Sequence, residues 1–168
     1  MRVPPEFWQT IKWFKPQEFG ISTHGPEVRE REAMDNMNPV LIEKLDELRS
    51  KTERAIIIHA GFAVSGHSKN SWHYFGDAAD LDIQDMQVFD QYQAAREIGF
   101  GGYGLYPHWD NPGLHLDVRP LKANGDPTLW VCNERGIYIY WPSEQAIELL
   151  DSLWMASETA KGGHHAPA

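Results

Sequence analysis

The sequence is poor in cysteine, in basic residues and in long apolar runs. Cys132 is the one cysteine among 168 residues, so no disulfide can form within the chain. The 15 Lys and Arg residues against 24 Asp and Glu residues give a formal charge of −9, which argues against a nucleic-acid partner because phosphate contacts need clustered basic side chains. No apolar run approaches the ~20 residues that span a bilayer. The composition therefore predicts neither a membrane span nor a nucleic-acid partner.

What is present is the composition of one folded domain. The chain is long enough to bury a core, and its seven Trp residues contribute to an aromatic content of 12%. Charged residues make up 23%, which is typical of a globular rather than a disordered protein. We divide the chain into an irregular N-terminal arm packed on the body (residues 1–36), a main domain (37–155) and a disordered tail (156–168).

Local patterns predict helices and strands. Asn38 and Pro39 are typical of a helix start, since an Asn side chain can cap the helix and proline suits its first position. A second helix is predicted from Asp85 to about Ile98, and a third after Ser143. Predicted strands cover residues 55–58, 78–83, 100–107, 114–118, 129–132 and 137–141, the last two as a hairpin. These elements predict a single α+β domain with a central, mainly antiparallel sheet, helices on one face and a cleft on the other.

Metal-binding chemistry is concentrated between Ser71 and Asp117. His73, Asp80 and His115 offer two imidazoles and one carboxylate, a ligand set that suits zinc. Residues around Asp80 and His115 alternate with apolar ones, which is typical of strands that turn one polar face to the same side. Three protein ligands leave the fourth tetrahedral position open, as in catalytic zinc sites. The competing interpretation is a metal-free structural domain with incidental histidines.

The pattern Ser-x-His-x-x-Gly-x-Ala-x-Asp (71–80), followed by His-x-Asp (115–117), resembles the zinc peptidases of the M15 family. This family includes D-Ala-D-Ala carboxypeptidases and phage L-alanyl-D-glutamate endopeptidases, and it shares a fold with the hedgehog signalling domain. The resemblance covers residues 10–120 and is strongest at 71–83 and 101–119. It implies an M15-like zinc peptidase domain over 37–155, zinc on His73, Asp80 and His115, and a cell-wall peptide as substrate.

The sequence departs from the family pattern where the substrate is bound. Ala63 stands where relatives usually carry an Arg that holds the substrate's carbonyl or carboxylate. Either Lys69, Arg119 or another basic residue substitutes for it, or the substrate lacks the group that the Arg would bind. Tyr103 and Tyr106 are expected near the rim of the metal cleft, because the glycines around them let the backbone come close to the cleft.

A second departure concerns the general base. Many relatives carry Glu, Asp or His two or three residues before the second His ligand, whereas this chain has Pro112–Gly113, which cannot transfer protons. The base is therefore expected at Asp110, Asp117 or His108. We prefer Asp110 as the base and Asp117 as a group that orients a metal ligand. His67, in a polar loop, is interpreted as solvent-facing.

We therefore expect a zinc metallopeptidase, either a D,D-carboxypeptidase or an endopeptidase, that hydrolyses peptidoglycan stem or cross-link peptides. The alternative is a zinc-binding but inactive cell-wall-binding or virion-associated protein, because the usual Arg and the usual base are absent. The N-terminal residues lack the charged-then-apolar pattern of a signal peptide. Synthesis in the cytoplasm is expected, with delivery to the wall by another route such as phage lysis.

Overall fold

The protein is described by a computed structural model that covers residues 3–20 and 30–162. The strands are β1 (Ile56–Ala60), β2 (Ala78–Ile83), β3 (Gly102–Tyr106), β4 (Gly113–Asp117), β5 (Thr128–Cys132) and β6 (Tyr138–Tyr140). The α-helices are α1 (Glu30–Asn36), α2 (Pro39–Thr52), α3 (Val88–Ile98) and α4 (Glu144–Gly162). Shorter 3-10 helices cover Pro5–Gln9, Pro16–Gly20 and Trp72–Phe75.

The six strands form one sheet in the order β1-β2-β4-β3-β5-β6. Strands β3 and β5 run parallel, and every other neighbouring pair is antiparallel. The prediction of an α+β domain with a mainly antiparallel sheet is confirmed. In the register of the central strands, His115 on β4 lies between Asp80 on β2 and Gly104 on β3.

The two faces of the sheet have different chemistry. Alternate residues such as Leu81, Leu114 and Leu116 are fully buried in the hydrophobic core, together with residues of α2 and α3. The intervening residues Asp80 and His115 point to the opposite face. The helices therefore cover one face of the sheet, and the polar residues occupy the other.

Helix α2 shows how the local sequence sets its own ends. The Asn38 side chain accepts a hydrogen bond from the Val40 N–H at 3.0 Å, and Pro39 occupies the first helical position. Glu53 ends the helix in a left-handed conformation, with φ of 53°. The helical spacing of Val40, Leu41, Leu45 and Leu48 predicts one apolar stripe; the three leucines are buried, whereas Val40 faces solvent.

Several predicted boundaries differ from those in the structure. Helix α4 continues to Gly162, so residues 156–162 are helical where a disordered tail was predicted, and residues 163–168 lie outside the described range. Helix α3 begins at Val88 with Gln87 at its cap, since Asp85 lies in the preceding turn with φ of 59°.

The N-terminal arm packs on the body through buried apolar side chains. Val3, Phe14 and Phe19 belong to the main hydrophobic core. Residues 30–36 of the arm form α1, and residues 21–29 lie outside the described range. No helix among residues 3–20 and 30–162 combines the length and apolarity needed to cross a membrane.

Candidate metal centre

Three neighbouring elements bring His73, Asp80 and His115 together. His73 lies in the 3-10 helix Trp72–Phe75, where the Ser71 hydroxyl accepts a hydrogen bond from its N–H at 3.3 Å. Asp80 and His115 are directly opposite each other on β2 and β4. All three residues are more than 90% buried. The sequence pattern therefore converges on one point at the polar face of the sheet.

The three side chains form a small triangle of ligand atoms. The Asp80 Oδ1 atom is 2.8 Å from His115 Nδ1 and 3.3 Å from His73 Nε2, and the two imidazole nitrogens are 3.3 Å apart. Zinc bonds of about 2.0–2.1 Å in tetrahedral geometry put neighbouring ligand atoms about 3.4 Å apart. Two nitrogens and one carboxylate oxygen at this spacing fit three corners of a zinc tetrahedron.

Further hydrogen bonds orient both imidazoles for metal binding. His73 Nδ1 lies 2.8 Å from the Gly61 carbonyl oxygen, and His115 Nε2 lies 3.1 Å from Asp117 Oδ2. These contacts keep a proton on His73 Nδ1 and on His115 Nε2, so His73 Nε2 and His115 Nδ1 are the nitrogens that would offer lone pairs to a metal; His115 Nδ1 would first release the proton that it shares with Asp80. Metal-binding histidines in proteins almost always have such a partner on the second nitrogen.

The triangle is also electrostatically coupled. Burial would raise the pKa of Asp80, but the adjacent His73 and His115 outweigh it and hold that pKa far below its usual range. Burial would lower the pKa of His115, but hydrogen bonds to Asp117 and Asp80 raise it to about 9. Burial opposes ionisation of Asp117 as well, yet His115 and Arg119 lower its pKa to about 2. In the metal-free protein, a protonated His115 therefore lies between two carboxylates.

The triangle lies in an open cleft of about 480 Å³. One side of the cleft is formed by residues 66–68 and 70–72 of the loop that leads into His73. The other side is formed by aromatic side chains from β3, β5, β6 and the turn after β3: Tyr106, Trp109, Trp130, Tyr138 and Tyr140. A substrate chain that enters this cleft would therefore pass directly over the ligand atoms.

Comparison with known proteins identifies the family. A peptidase M15 family model, described as peptidoglycan L,D-endopeptidase MepK, matches residues 26–124. The match covers more than half of the chain and includes all three ligand residues. The chain belongs to the M15 peptidase family. No curated protein sequence matches the chain.

Within this M15 domain, Arg119 is held rigidly at the cleft. Its Nε donates to both Asp117 carboxylate oxygens at 2.8 Å, and Nη2 donates to Asp117 Oδ2. The guanidinium carbon lies 5.5 Å from the Trp72 ring and 5.2 Å from the Trp130 ring, within the range of cation–π contacts. Among the described residues that line the cleft, Arg119 is the one with a permanent positive charge.

The other residues expected to bind substrate lie in different environments. Tyr106 lines the cleft, and its hydroxyl accepts a hydrogen bond from Trp130 Nε1 at 3.2 Å. Tyr103 lies on the opposite face of the sheet, where its hydroxyl accepts a hydrogen bond from the Phe100 N–H at 2.6 Å. Lys69 is exposed on the loop and does not line the cleft. Of the expected substrate-binding set, the cleft contains Tyr106 and Arg119.

The structure also separates the three expected bases. His108 and Asp110 are exposed in the turn between β3 and β4, and neither lines the cleft. Asp117 is fully buried behind His115, where it can orient the imidazole but has no access to the cleft. At Gly113, one of the two positions where the resemblance places the relatives' base, an added Cβ would collide with the Leu81 carbonyl oxygen. A side chain at that position is therefore excluded by the close approach of β2.

His67 lines the cleft, so its interpretation as a solvent-facing residue of the polar loop is wrong. Its ring stacks on His73 with centroids 4.2 Å apart, and its backbone N–H and carbonyl both hydrogen-bond the Tyr74 hydroxyl, at 3.0 and 2.8 Å. His67, His73 and Asp80 each offer one ligand atom within 4.8 Å of the others. The triangle with His115 is tighter, with edges of 2.8–3.3 Å, so His73, Asp80 and His115 are the better candidate ligand set and His67 lies next to it. The loop around His67 has no periodicity, so the sequence does not indicate which way this side chain points.

Proposed function

We propose that the protein is a zinc-dependent peptidase that hydrolyses a peptide bond in peptidoglycan stem or cross-link peptides. The observation that supports zinc is the triangle of His73, Asp80 and His115, with edges of 2.8–3.3 Å. The description of the family model, peptidoglycan L,D-endopeptidase, supports an internal bond that joins an L-centre to a D-centre. Endopeptidase action on cross-links is therefore the specific form of the proposal.

The roles of the residues follow from their contacts. Zinc, when bound, activates water and polarises the scissile carbonyl. His73, Asp80 and His115 would hold the ion, while Asp117 keeps the proton of His115 on Nε2. His67 would accept the proton of the attacking water, because it lines the cleft beside His73 and the two usual base positions are Pro112 and Gly113.

Arg119 would take the role of the Arg that relatives carry where this chain has Ala63. Ala63 is buried, and its N–H donates to the His73 carbonyl oxygen at 3.2 Å, so this position supports the metal-binding helix instead. The Arg119 guanidinium, fixed by Asp117 between two Trp rings, offers a rigid positive charge to a substrate carboxylate. Stem peptides carry several carboxylates, so this charge suits the proposed substrate.

The experiment uses purified cross-linked muropeptides and mass spectrometry of the products. We expect cleavage of one bond type, loss of turnover with a chelator, recovery with zinc, and loss with His73→Ala. The alternative, an inactive wall-binding protein, predicts one equivalent of bound zinc with no cleavage of any muropeptide. That result would reject the peptidase proposal.

Replacing the guanidinium of Arg119 separates substrate binding from metal binding. Arg119→Lys keeps the charge but loses the bidentate contact with Asp117, so we expect KM to rise while zinc content stays at one equivalent. Amidation of the substrate's carboxylates should raise KM for the unmodified protein and have little further effect on the variant. Equal KM values for the unmodified protein and the variant would show that Arg119 does not bind the substrate.

A further inference from the structure

The aromatic side of the cleft extends well beyond the metal ligands. We call its five residues, Tyr106, Trp109, Trp130, Tyr138 and Tyr140, the aromatic wall. Trp130 lies 5.3 Å from the His115 ring and 6.0 Å from Tyr140, whereas Tyr106 stacks on Trp109 at 4.0 Å and meets Tyr138 at 6.1 Å. The wall is therefore continuous from a metal ligand to β6, the edge strand of the sheet.

The wall has a buried inner part and an exposed outer part. Tyr106 and Trp130 are 8% and 6% exposed, whereas Tyr138 and Tyr140 are 52% and 53% exposed. Tyr140 is paired with Trp130 and Tyr138 with Cys132 in the register of β5 and β6, which explains why both rings point to the cleft side. Burial of the inner rings accounts for their contribution to the fold. The two outer tyrosines contribute little to the core, which suggests a role at the surface.

The chemistry of the proposed substrate indicates what these tyrosines bind. This step depends on the proposed function. Stem peptides consist of small or charged residues and offer no large apolar side chain to an aromatic surface. The glycan strand, to which the stems are attached, consists of N-acetylated hexosamines whose rings have an apolar C–H face and a polar rim. Tyrosine presents the complementary combination of an apolar ring and a hydroxyl.

Charge and location agree with a sugar as the ligand. None of the five residues of the wall carries a charge, so the wall suits a neutral sugar ring better than an anionic polymer. The net charge of −9 on the chain also disfavours binding of an anionic polymer. Tyr138 and Tyr140 are two residues apart on one strand, or about 7 Å, so both can contact one disaccharide. Trp130, Tyr138 and Tyr140 lie outside the family match at residues 26–124. The outer wall is thus a feature of this chain beyond the matched peptidase region.

We propose that Tyr138 and Tyr140 form a sugar-binding subsite for N-acetylhexosamine units of the glycan strand. The subsite lies in the same cleft as the metal centre, so a stem peptide still attached to its sugar can occupy both. The protein would therefore prefer glycan-linked stem peptides over free peptides of the same sequence.

The first test compares two substrates with identical peptides, one linked to its disaccharide and one freed by an amidase. We expect kcat/KM to be about tenfold higher for the sugar-linked substrate, a difference of about 1.4 kcal/mol. In the Tyr138→Ala/Tyr140→Ala double variant, this ratio should fall toward one. The Tyr138→Phe/Tyr140→Phe variant keeps the rings and should retain most of the preference. Trp154→Ala, a 46% exposed aromatic on α4 away from the cleft, is the matched control and should retain it fully.

A second measurement does not depend on hydrolysis. Soluble N-acetylglucosamine oligomers are titrated into the metal-free protein while the NMR signal of the Trp130 indole N–H is followed. We expect saturable shifts that the double Ala variant loses and Trp154→Ala keeps. Sugar binding without peptide cleavage would support the subsite and reject the peptidase proposal. Peptide cleavage without sugar binding, or with equal rates on both substrates, would overturn the subsite and leave the peptidase proposal standing.

Discussion

Each imidazole of the candidate metal centre is oriented by a group outside the triangle of candidate ligands. His73 is fixed by a backbone carbonyl, that of Gly61, and His115 by the buried carboxylate of Asp117. The same carboxylate also fixes Arg119, so one residue orients both a candidate metal ligand and the cationic group in the cleft. Because Asp117 is fully buried, it acts through these two partners and not on the substrate.

The first residue-level prediction concerns His67. His67→Ala should lower kcat/KM by about 10²–10⁴-fold, the usual contribution of a general base, because no other described group with an imidazole or carboxylate lines the cleft apart from the triangle. Zinc content, measured by atomic emission, should remain at one equivalent. His108→Ala and Asp110→Asn are the comparison variants. A larger loss of kcat/KM in either of these variants would show that the general base lies in the turn between β3 and β4 and is not His67.

The second residue-level prediction is a pH dependence of metal affinity. Burial lowers the pKa of His115, but hydrogen bonds to Asp117 and Asp80 raise it to about 9 in the metal-free protein. Since zinc needs the unprotonated Nδ1, apparent zinc affinity should rise about tenfold per pH unit below pH 9 and level off above it. The same proton stabilises the metal-free fold fully below the unfolded pKa of about 6.5, and this contribution is lost as the pH rises toward 9.

Chelator competition at several pH values measures this affinity. Isothermal titration in two buffers with different ionisation enthalpies counts the protons released, and about one is expected near neutral pH. Denaturant unfolding of the metal-free protein should show lower stability at pH 9 than at pH 6.5. An affinity that does not change between pH 6.5 and 8.5 would contradict the protonated state of His115.

At the scale of elements, the sequence predicted the position of an element where its capping or turn residues were clear, and it failed where such residues were missing. Helix α2 begins at Pro39 as Asn38 predicts, and the hairpin of β5 and β6 lies where its flanking residues indicate. The two faces of strand β3 were harder to predict, because Gly102 and Gly104 have no side chains and the sequence therefore shows no alternation of apolar and polar residues. In the structure, Tyr103 packs in the core and Tyr106 lines the cleft. The packing of neighbouring elements determines which face of β3 is buried.

Strand β3 also carries a prediction about packing. A Cβ at Gly104 would lie 2.5 Å from the Trp130 ring, so Gly104→Ala should displace this ring and break its hydrogen bond to Tyr106. We expect a loss of about 1–3 kcal/mol in the free energy of unfolding, measured by urea denaturation. Gly162→Ala, at the end of α4 with open space around it, is the control and should not destabilise the fold. Equal stability of the two variants would show that the Trp130 ring adapts freely.

At the scale of the whole molecule, the sequence indicated the three candidate metal ligands, but it did not indicate most of the other residues that line the cleft. Their spacing and strand alternation indicated His73, Asp80 and His115, and the structure brings these three together. The cleft is formed by segments that are distant in the sequence, so its other lining residues could not be predicted from local sequence patterns. His67 is set by a hydrogen bond to Tyr74, and Trp130 and Tyr140 reach the cleft through a parallel pairing of β5 with β3.

The ligand positions also predict how metal binding affects the stability of the whole fold. Zinc would join the 3-10 helix Trp72–Phe75 to strands β2 and β4, and the unfolded chain has no such preformed site. A ligand that binds only the folded state adds about 2.7 kcal/mol at 100 times its Kd, which for a chain of this size raises Tm by about 5–10 °C. Calorimetry with and without zinc should show this rise, and magnesium at the same concentration should not produce it, since Mg²⁺ prefers six oxygen ligands. In His73→Ala the zinc-dependent rise should disappear, and a rise of equal size in that variant would mean that zinc binds elsewhere.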